Sequence, residues 1–488
     1  MDEQKLAVAL ASMNPWWEGK DVPRKIKKAD MKRKIFYDLS TNCLQSKEIC
    51  CITGPRQVGK TTLMGQLIEH QIKENKENSK KIVYMPLDNE LLALNADNVL
   101  VDVLKVYFDN VLGESPQNLK ENVYIYLDEI QSLENWASQL KSYYDIYEKI
   151  KFVISGSSQT KLYNDATESL VGRIQFRLVL PLKFREFLEF NLNKEEKSSS
   201  FEYSTHELRK GLRESLDSGD PETLYKKIVS LQIRLASELP KIRKMFNTYL
   251  IKGGYPGVLD FEEDYDKALE KIKTDLELTV YKDIHRIFNT RNSSDLMSLL
   301  VLIASSSGQK INYSRLANAI GVDRRIVANY LEYTKLVFLT AESKIYKNSK
   351  YKQVEKNNKI YMIDVGQRNA LLGRMNERML NESDSGLAMQ TAIFSHASRL
   401  RFFLTDHKEY EVNYWEDGKD EVDIIIDLPK FVLPIEIKSK SRDKGIGAIH
   451  KFIEETKRSK FGIVVTLDDL RLEKNVLLMP AWAFMLMC

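Results

Sequence analysis

Residues 54–61 read Gly-Pro-Arg-Gln-Val-Gly-Lys-Thr, between an apolar run at 49–53 and an amphipathic segment that begins Thr62-Leu-Met-Gly-Gln-Leu-Ile. Strand, glycine-framed loop and helix in immediate succession constrain the fold more than any other stretch of the chain. Gly54 and Gly59 let the backbone curl until consecutive N–H groups and the positive end of the next helix point at one place, which suits a phosphate. Pro55, Arg56, Gln57 and Val58 line the loop, Lys60 would neutralise the terminal phosphates of a nucleotide, and the Thr61 hydroxyl would hold Mg²⁺. Gly54 through Thr62 are therefore the expected nucleotide-binding residues, with ATP and Mg²⁺ as cofactors.

The bulk numbers bound the rest. A chain of 488 residues, 43% apolar and 29% charged, has ordinary globular composition and room for about three domains. The net charge of +4 is small for this length, so charge alone does not announce nucleic acid. No run of about 18 apolar residues suggests a membrane span. The first residues, Met-Asp-Glu-Gln-Lys, lack an apolar signal core, so a cytoplasmic protein is expected. Cys43, Cys50, Cys51 and Cys488 have neither metal-ligand nor disulfide-scaffold spacing, and Cys50 and Cys51 read as small buried strand residues.

Residues 1–48 form an N-terminal arm. Asn14-Pro-Trp-Trp-Glu18 is expected to pack onto the next domain, and the basic stretch from Arg24 to Lys34 reads as a solvated face, a nucleic-acid or partner role being the alternative. From Ile49 onward, short apolar runs alternate with helical segments, the pattern of a mostly parallel sheet with crossover helices. Further strands are expected at 81–85, 123–127, 151–154 and 174–180. The run at 123–127 ends in Asp128-Glu129, 68 residues beyond Lys60. A strand tip carrying two acids suits a magnesium-shell ligand, Asp128, followed by a water-polarising base, Glu129. The next strand ends in small hydroxyls, of which Ser157 or Ser158 would sense the γ-phosphate or orient the water, unless they only form a turn. Arg173 is either a finger reaching a neighbouring subunit's phosphate or a surface salt-bridge residue.

Together with the loop, Leu127-Asp-Glu-Ile-Gln131, Ser155-Gly-Ser-Ser158, Leu170-Val-Gly-Arg173, Pro181-Leu-Lys-Phe-Arg-Glu-Phe187 and Lys252-Gly-Gly-Tyr-Pro-Gly257 resemble the archaeal-type ATPase family, an AAA+-like group of P-loop proteins. The resemblance implies an α/β P-loop NTPase core with sheet order 5-1-4-3-2, followed by a lid and by winged-helix and nuclease-like regions. On that reading the core spans 49–183, a helical lid 184–290, a winged helix 291–375 and a nuclease-like domain 376–488.

Two of these regions carry their own signals. Residues 311–321 and 324–336 read as two short helices separated by a glycine turn, with Ser314 and Asp323 as N-caps. Strands at 337–340 and 360–363 would flank a basic wing spanning 343–359. Arg324 and Arg325 then open a recognition helix, and Lys347, Lys350 and Lys352 would meet DNA phosphates. A protein-binding scaffold is the alternative. Further on, Glu421-Val-Asp423 and Ile435-Glu436-Ile-Lys438 read as antiparallel strands that bring two carboxylates and a lysine to one face. This arrangement resembles the PD-(D/E)xK nuclease core, in which Asp423 and Glu436 would hold a metal and Lys438 would orient water. The helix opening that domain, from Gly386 to His396, lacks the acids the family carries there, so an inactive nuclease-like domain competes with a cleaving one; His396 is a conceivable substitute ligand.

The functional expectation is an ATP-hydrolysing enzyme that applies its conformational change to DNA. The alternative is a nucleotide-regulated scaffold that binds protein partners through an inactive nuclease-like domain. A homo-oligomer is compatible with either.

Overall fold

The computed structural model describes residues 3–89, 99–157, 169–191, 199–290, 292–347, 358–381, 385–406, 410–438 and 442–488. The chain divides into two compact units, Met1–Leu180 with Leu336–Phe338, and Pro181–Lys335 with Leu339–Cys488.

The first unit is built on five strands, β1 (Ile49–Thr53), β2 (Ile82–Pro86), β3 (Val123–Asp128), β4 (Ile150–Gly156) and β5 (Ile174–Leu178). They lie in the order β2-β3-β4-β1-β5, every pair parallel, which is the order the sequence resemblance implies. The strands of such a sheet are buried on both faces and so read as continuous apolar runs. β1 and β3 are buried at every position. Helices α1 (Glu3–Met13), α2 (Lys60–Lys73), α3 (Val99–Val106) and α4 (Trp136–Ile146) accompany the sheet. Leu6 and Leu10 of α1 join Leu100, Leu104, Trp136 and Leu140 in one core with Val83, Ile125 and Ile154 of the strands.

The N-terminal arm does more than cover apolar surface. β2 is an edge strand, and an unpaired edge invites pairing with other chains. Asn14 closes part of it: its side-chain carbonyl accepts the Tyr84 N–H at 2.6 Å and its amide donates to the Tyr84 carbonyl at 3.0 Å. Both indole N–H groups, of Trp16 and Trp17, donate to the Ile82 carbonyl at 2.9 Å. The basic stretch is not simply a solvated face. Lys27 is buried and pairs with Glu69 of α2 at 2.7 Å, and Lys32 pairs with Glu74 at 3.0 Å. The cysteine reading is also corrected: Cys43 and Cys50 form a disulfide, while Cys51 and Cys488 are free and buried. Cys43 ends a helical turn at Leu39–Cys43 that packs against β1, a tertiary approach that spacing does not encode.

The second unit opens with helices α5 (Phe184–Asn191), α6 (Ser199–Ser218), α7 (Glu222–Arg234), α8 (Leu239–Lys252) and α9 (Tyr265–Glu277). The turn after α8 needs its glycines. Gly253 has φ 73°, and a Cβ there would stand 2.2 Å from the Asp364 carboxylate. Asp364 accepts the Gly254 N–H at 2.8 Å. Next come α10 (Ser293–Ser305), α11 (Tyr313–Ile320), α12 (Arg324–Leu336) and an antiparallel hairpin of β6 (Thr340–Ser343) and β7 (Lys359–Met362). Two local expectations change here. Asn312, not Ser314, caps α11, accepting the Arg315 N–H at 3.0 Å. The first hairpin strand starts at Thr340 rather than 337, because α12 runs to Leu336 and Phe338 turns the chain at φ 59°. Asp323 does cap α12, accepting the Arg325 N–H at 2.7 Å.

After α13 (Val365–Leu371) and α14 (Ser385–Leu404), a six-stranded mixed sheet takes the order β12-β13-β11-β10-β9-β8. Its strands are β8 (Asn413–Asp417), β9 (Asp420–Asp427), β10 (Val432–Ile437), β11 (Gly462–Thr466), β12 (Arg471–Glu473) and β13 (Val476–Pro480). Helices α15 (Arg442–Glu455) and α16 (Ala481–Met487) complete it. Among the described residues no helix is long and apolar enough to cross a membrane.

Candidate active site

In a parallel α/β sheet, ligands bind beyond the carboxyl ends of the strands where the strand order reverses. Here that point lies between β1 and β4, and the register sets Thr53 beside Gly156. The loop leaving β1 has no space for side chains at its first glycine: Gly54 has φ 151°, and a Cβ would stand 2.0 Å from the Val179 carbonyl. Gly59, at φ 98°, starts α2. Arg33 of the arm donates to the Val58 carbonyl at 3.3 Å and the Leu180 carbonyl at 2.9 Å, holding the loop against the end of β5. Lys60 is buried, and its Nζ donates to the Gly54 and Pro55 carbonyls at 2.9 and 3.0 Å. Gly54, Pro55 and Val58 are buried, Arg56, Thr61 and Thr62 partly so, and Gln57 is exposed.

Asp128 at the tip of β3 is the centre of the site. Its Oδ2 accepts the Thr61 hydroxyl from α2 at 2.6 Å and the Tyr84 hydroxyl from β2 at 2.9 Å. Its Oδ1 accepts the Ser155 hydroxyl from β4. Burial, and after it the charge of Glu129, push the Asp128 carboxyl above its ordinary range, against the pull of these three hydroxyls. Glu129 sits at φ 54°, a left-handed conformation that turns its side chain out of the strand line, and its N–H donates to Ser155 at 3.1 Å. Gln131 donates to the Glu129 carboxylate and, at 3.1 Å, to Ser157. Ser157 thus reaches the acid through Gln131. Ser158 lies outside the described residues.

Of the predicted residues, the structure brings together Lys60, Thr61, Asp128, Glu129 and Ser157. Tyr84, Ser155 and Gln131 join them without having been singled out. Arg173 does not join them. It precedes β5 at the amino ends of the parallel strands, away from the carboxyl ends that carry the site, where its carbonyl accepts the Ile49 N–H at 2.7 Å and its guanidinium pairs with Asp145 at 2.7 Å. The site's chemistry fits a magnesium nucleotide: a glycine cradle at a helix N-terminus, an ammonium beside it, and a hydroxyl and a carboxylate oxygen in contact, which are hard oxygen donors.

The predicted DNA contacts lie in the second unit. Arg324 and Arg325 are exposed at the first turn of α12, with the Arg324 guanidinium 5.9 Å from the Tyr313 ring centre. Lys347 is exposed; Lys350 and Lys352 lie outside the described residues.

The acidic constellation of the C-terminal sheet also assembles. Asp423 of β9 donates its N–H to Glu436 Oε2 at 3.0 Å, and Ile437 donates its N–H to Asp423 Oδ2 at 3.1 Å. Lys438 Nζ pairs with Glu436 Oε1 at 2.6 Å. Gln390 of α14 donates to Asp423 Oδ1 at 3.0 Å, and Lys359 Nζ lies 3.4 Å from the same oxygen. Burial and then the Asp423 charge raise the Glu436 carboxyl well above its ordinary range, while Lys438 opposes them. His396 is not part of this set. It is fully buried, its Nε2 accepts the Phe184 N–H at 3.0 Å, and its ring packs edge-on against Tyr249. Among the described residues no group of three or more His, Cys, Asp or Glu side chains is placed to hold a metal ion.

The sheet order and the glycine loop define a P-loop NTPase fold. Residues 46–188 match the profile of an AAA domain. Residues 243–378 and 385–484 match two domains of unknown function, DUF8612 and DUF4143. The chain is 29% identical over 471 residues to the uncharacterized protein MJ1637 of Methanocaldococcus jannaschii, covering 93% of this chain and 89% of that protein. It is 23% identical to a second protein of that organism, MJ1544, over 90% of this chain and 86% of the relative. Among solved structures it resembles the Walker-type ATPase PABY2304 of Pyrococcus abyssi, with a TM-score of 0.37, 16% identity, and coverage of 72% of this chain and 98% of that one.

Proposed function

We propose that the protein hydrolyses ATP in the first unit and applies the resulting change of shape to DNA gripped by the second. The observation that carries the first half is Asp128, a buried carboxylate whose hydrogen-bond donors are all neutral hydroxyls, with Glu129 beside it. Bound ATP with Mg²⁺ would supply the reacting phosphoryl group and the charge that offsets its developing negative oxygens. Lys60 exchanges the Gly54 and Pro55 carbonyls for phosphate oxygens. Thr61 and Asp128 hold the cation side. Glu129 accepts the proton of the attacking water, and Gln131, fixed by Ser157, orients that carboxylate.

The second half rests on Arg324 and Arg325. Cations at a helix N-terminus oppose the helix dipole, a cost of about 0.3–1 kcal/mol each, so their position is not explained by helix stability. A phosphate backbone would make use of it. The test is ATP turnover with and without double- and single-stranded DNA at low and moderate salt. Several-fold stimulation that fades with added salt is expected, and unchanged turnover with ATP still bound would remove DNA as the load. The lysines already seated against Asp423 and Glu436 favour a second reading, a nucleotide-regulated scaffold for protein partners, and that result would leave it standing.

A further inference from the structure

A carboxylate draws a divalent cation by its uncompensated negative charge, and an ammonium already seated against it opposes that. Asp423 and Glu436 each lie against an ammonium. Asp423 Oδ1 faces Gln390 Nε2 at 3.0 Å and Lys359 Nζ at 3.4 Å, and its Oδ2 takes the Ile437 N–H at 3.1 Å. Glu436 Oε1 takes Lys438 Nζ at 2.6 Å, and its Oε2 takes the Asp423 N–H at 3.0 Å.

Lys359 is the unusual member. It opens β7, its side chain is 3% exposed, and it also pairs with Glu421, two residues before Asp423 on the same face of β9. Beside it, Lys310 bridges to the Lys359 backbone and pairs with Glu416 of β8 and, at 3.2 Å, with Glu421. Neighbouring groups follow the same path: Tyr346 donates its N–H to the Tyr414 carbonyl at 2.6 Å, and the Ser343 hydroxyl donates to the Val412 carbonyl at 3.1 Å.

We propose that the Lys359 ammonium occupies the place of a divalent cation at Asp423. The acidic constellation then acts as an internal ion-pair lock that fastens the β6–β7 hairpin to the C-terminal sheet, not as a metal-dependent cleavage centre. A buried carboxylate that loses its cationic partner is strongly destabilised, so removing Lys359 should create a demand that an added cation can meet.

The experiment uses the full chain without nucleotide and MnCl₂ as the probe, with bound Mn²⁺ counted by electron paramagnetic resonance and melting followed in parallel. The parent and Asp423→Asn should bind the same number of Mn²⁺ ions. Lys359→Ala should melt at a lower temperature than the parent, recover several degrees with Mn²⁺, and lose that recovery in Lys359→Ala/Asp423→Asn. Asp423-dependent Mn²⁺ binding by the parent would overturn the proposal, as would a folded Lys359→Ala protein indifferent to Mn²⁺. Should Lys359→Ala fail to fold, the comparison of the parent with Asp423→Asn decides alone.

Discussion

Asp128 and Asp423 are both buried, each with a glutamate close by, and they differ in what holds them. Asp128 is held by the hydroxyls of Thr61, Tyr84 and Ser155. Asp423 is held by an amide, a backbone N–H and the ammonium of Lys359. A hydroxyl is neutral and can rotate to offer its oxygen to a cation; an ammonium has no lone pair and cannot. The first arrangement leaves the carboxylate's charge unspent and available to a metal, whereas the second has already compensated it. Similar residue types thus yield an open site in one sheet and a closed one in the other.

The sharpest way to break this comparison is at the first site. Glu129→Gln should bind ATP as the parent does and hydrolyse it about 10²–10³-fold more slowly, while Lys60→Ala should lose nucleotide binding; normal turnover by Glu129→Gln would remove the assigned base. At the second site the sign of a pH effect is informative. Burial, and after it the charge of Asp423, raise the Glu436 carboxyl on folding, so the native chain holds its proton more tightly than the unfolded chain does. Its contribution to stability is complete below the ordinary carboxyl range and fades as pH rises through the raised value. Denaturant titrations across that window should show the decline in the parent and not in Glu436→Gln.

A smaller effect is expected at Asp128. Its carboxyl is also raised by burial, so its charged form costs stability at neutral pH. Asp128→Asn should therefore abolish turnover yet raise the melting temperature of the nucleotide-free protein by about 2 °C; a lower melting temperature would mean that the hydroxyl web needs the charge. The smallest effect is at α12, where Arg324→Ala and Arg325→Ala should each reduce the salt slope of DNA affinity by about 1.

Much of the first unit was legible in the sequence because its signals are local. The two glycines, Lys60 and Thr61 are contiguous, and an apolar run ending in Asp128-Glu129 declares a strand tip by itself. Tyr84 and Ser155 were not legible, since their roles depend on sheet register. β2 must lie beside β3, and β4 must run on to Gly156, two residues past the expected end, before either hydroxyl meets Asp128. Arg173 was ambiguous because its partner Asp145 lies 28 residues away on α4, a pairing that local spacing does not encode. Lys359 sits in sequence at the end of a basic stretch that reads as a wing. Its alternation with Tyr361 ahead of an apolar run hinted at an inward side chain, but its partners on β9 are more than sixty residues away.

The most direct measurement is the number of tightly bound Mn²⁺ ions per full chain in the presence of a non-hydrolysable ATP analogue. One ion is expected, lost in Asp128→Asn and retained in Asp423→Asn. Two ions, or an ion lost with Asp423→Asn, would contradict the contrast between an open and a closed carboxylate site.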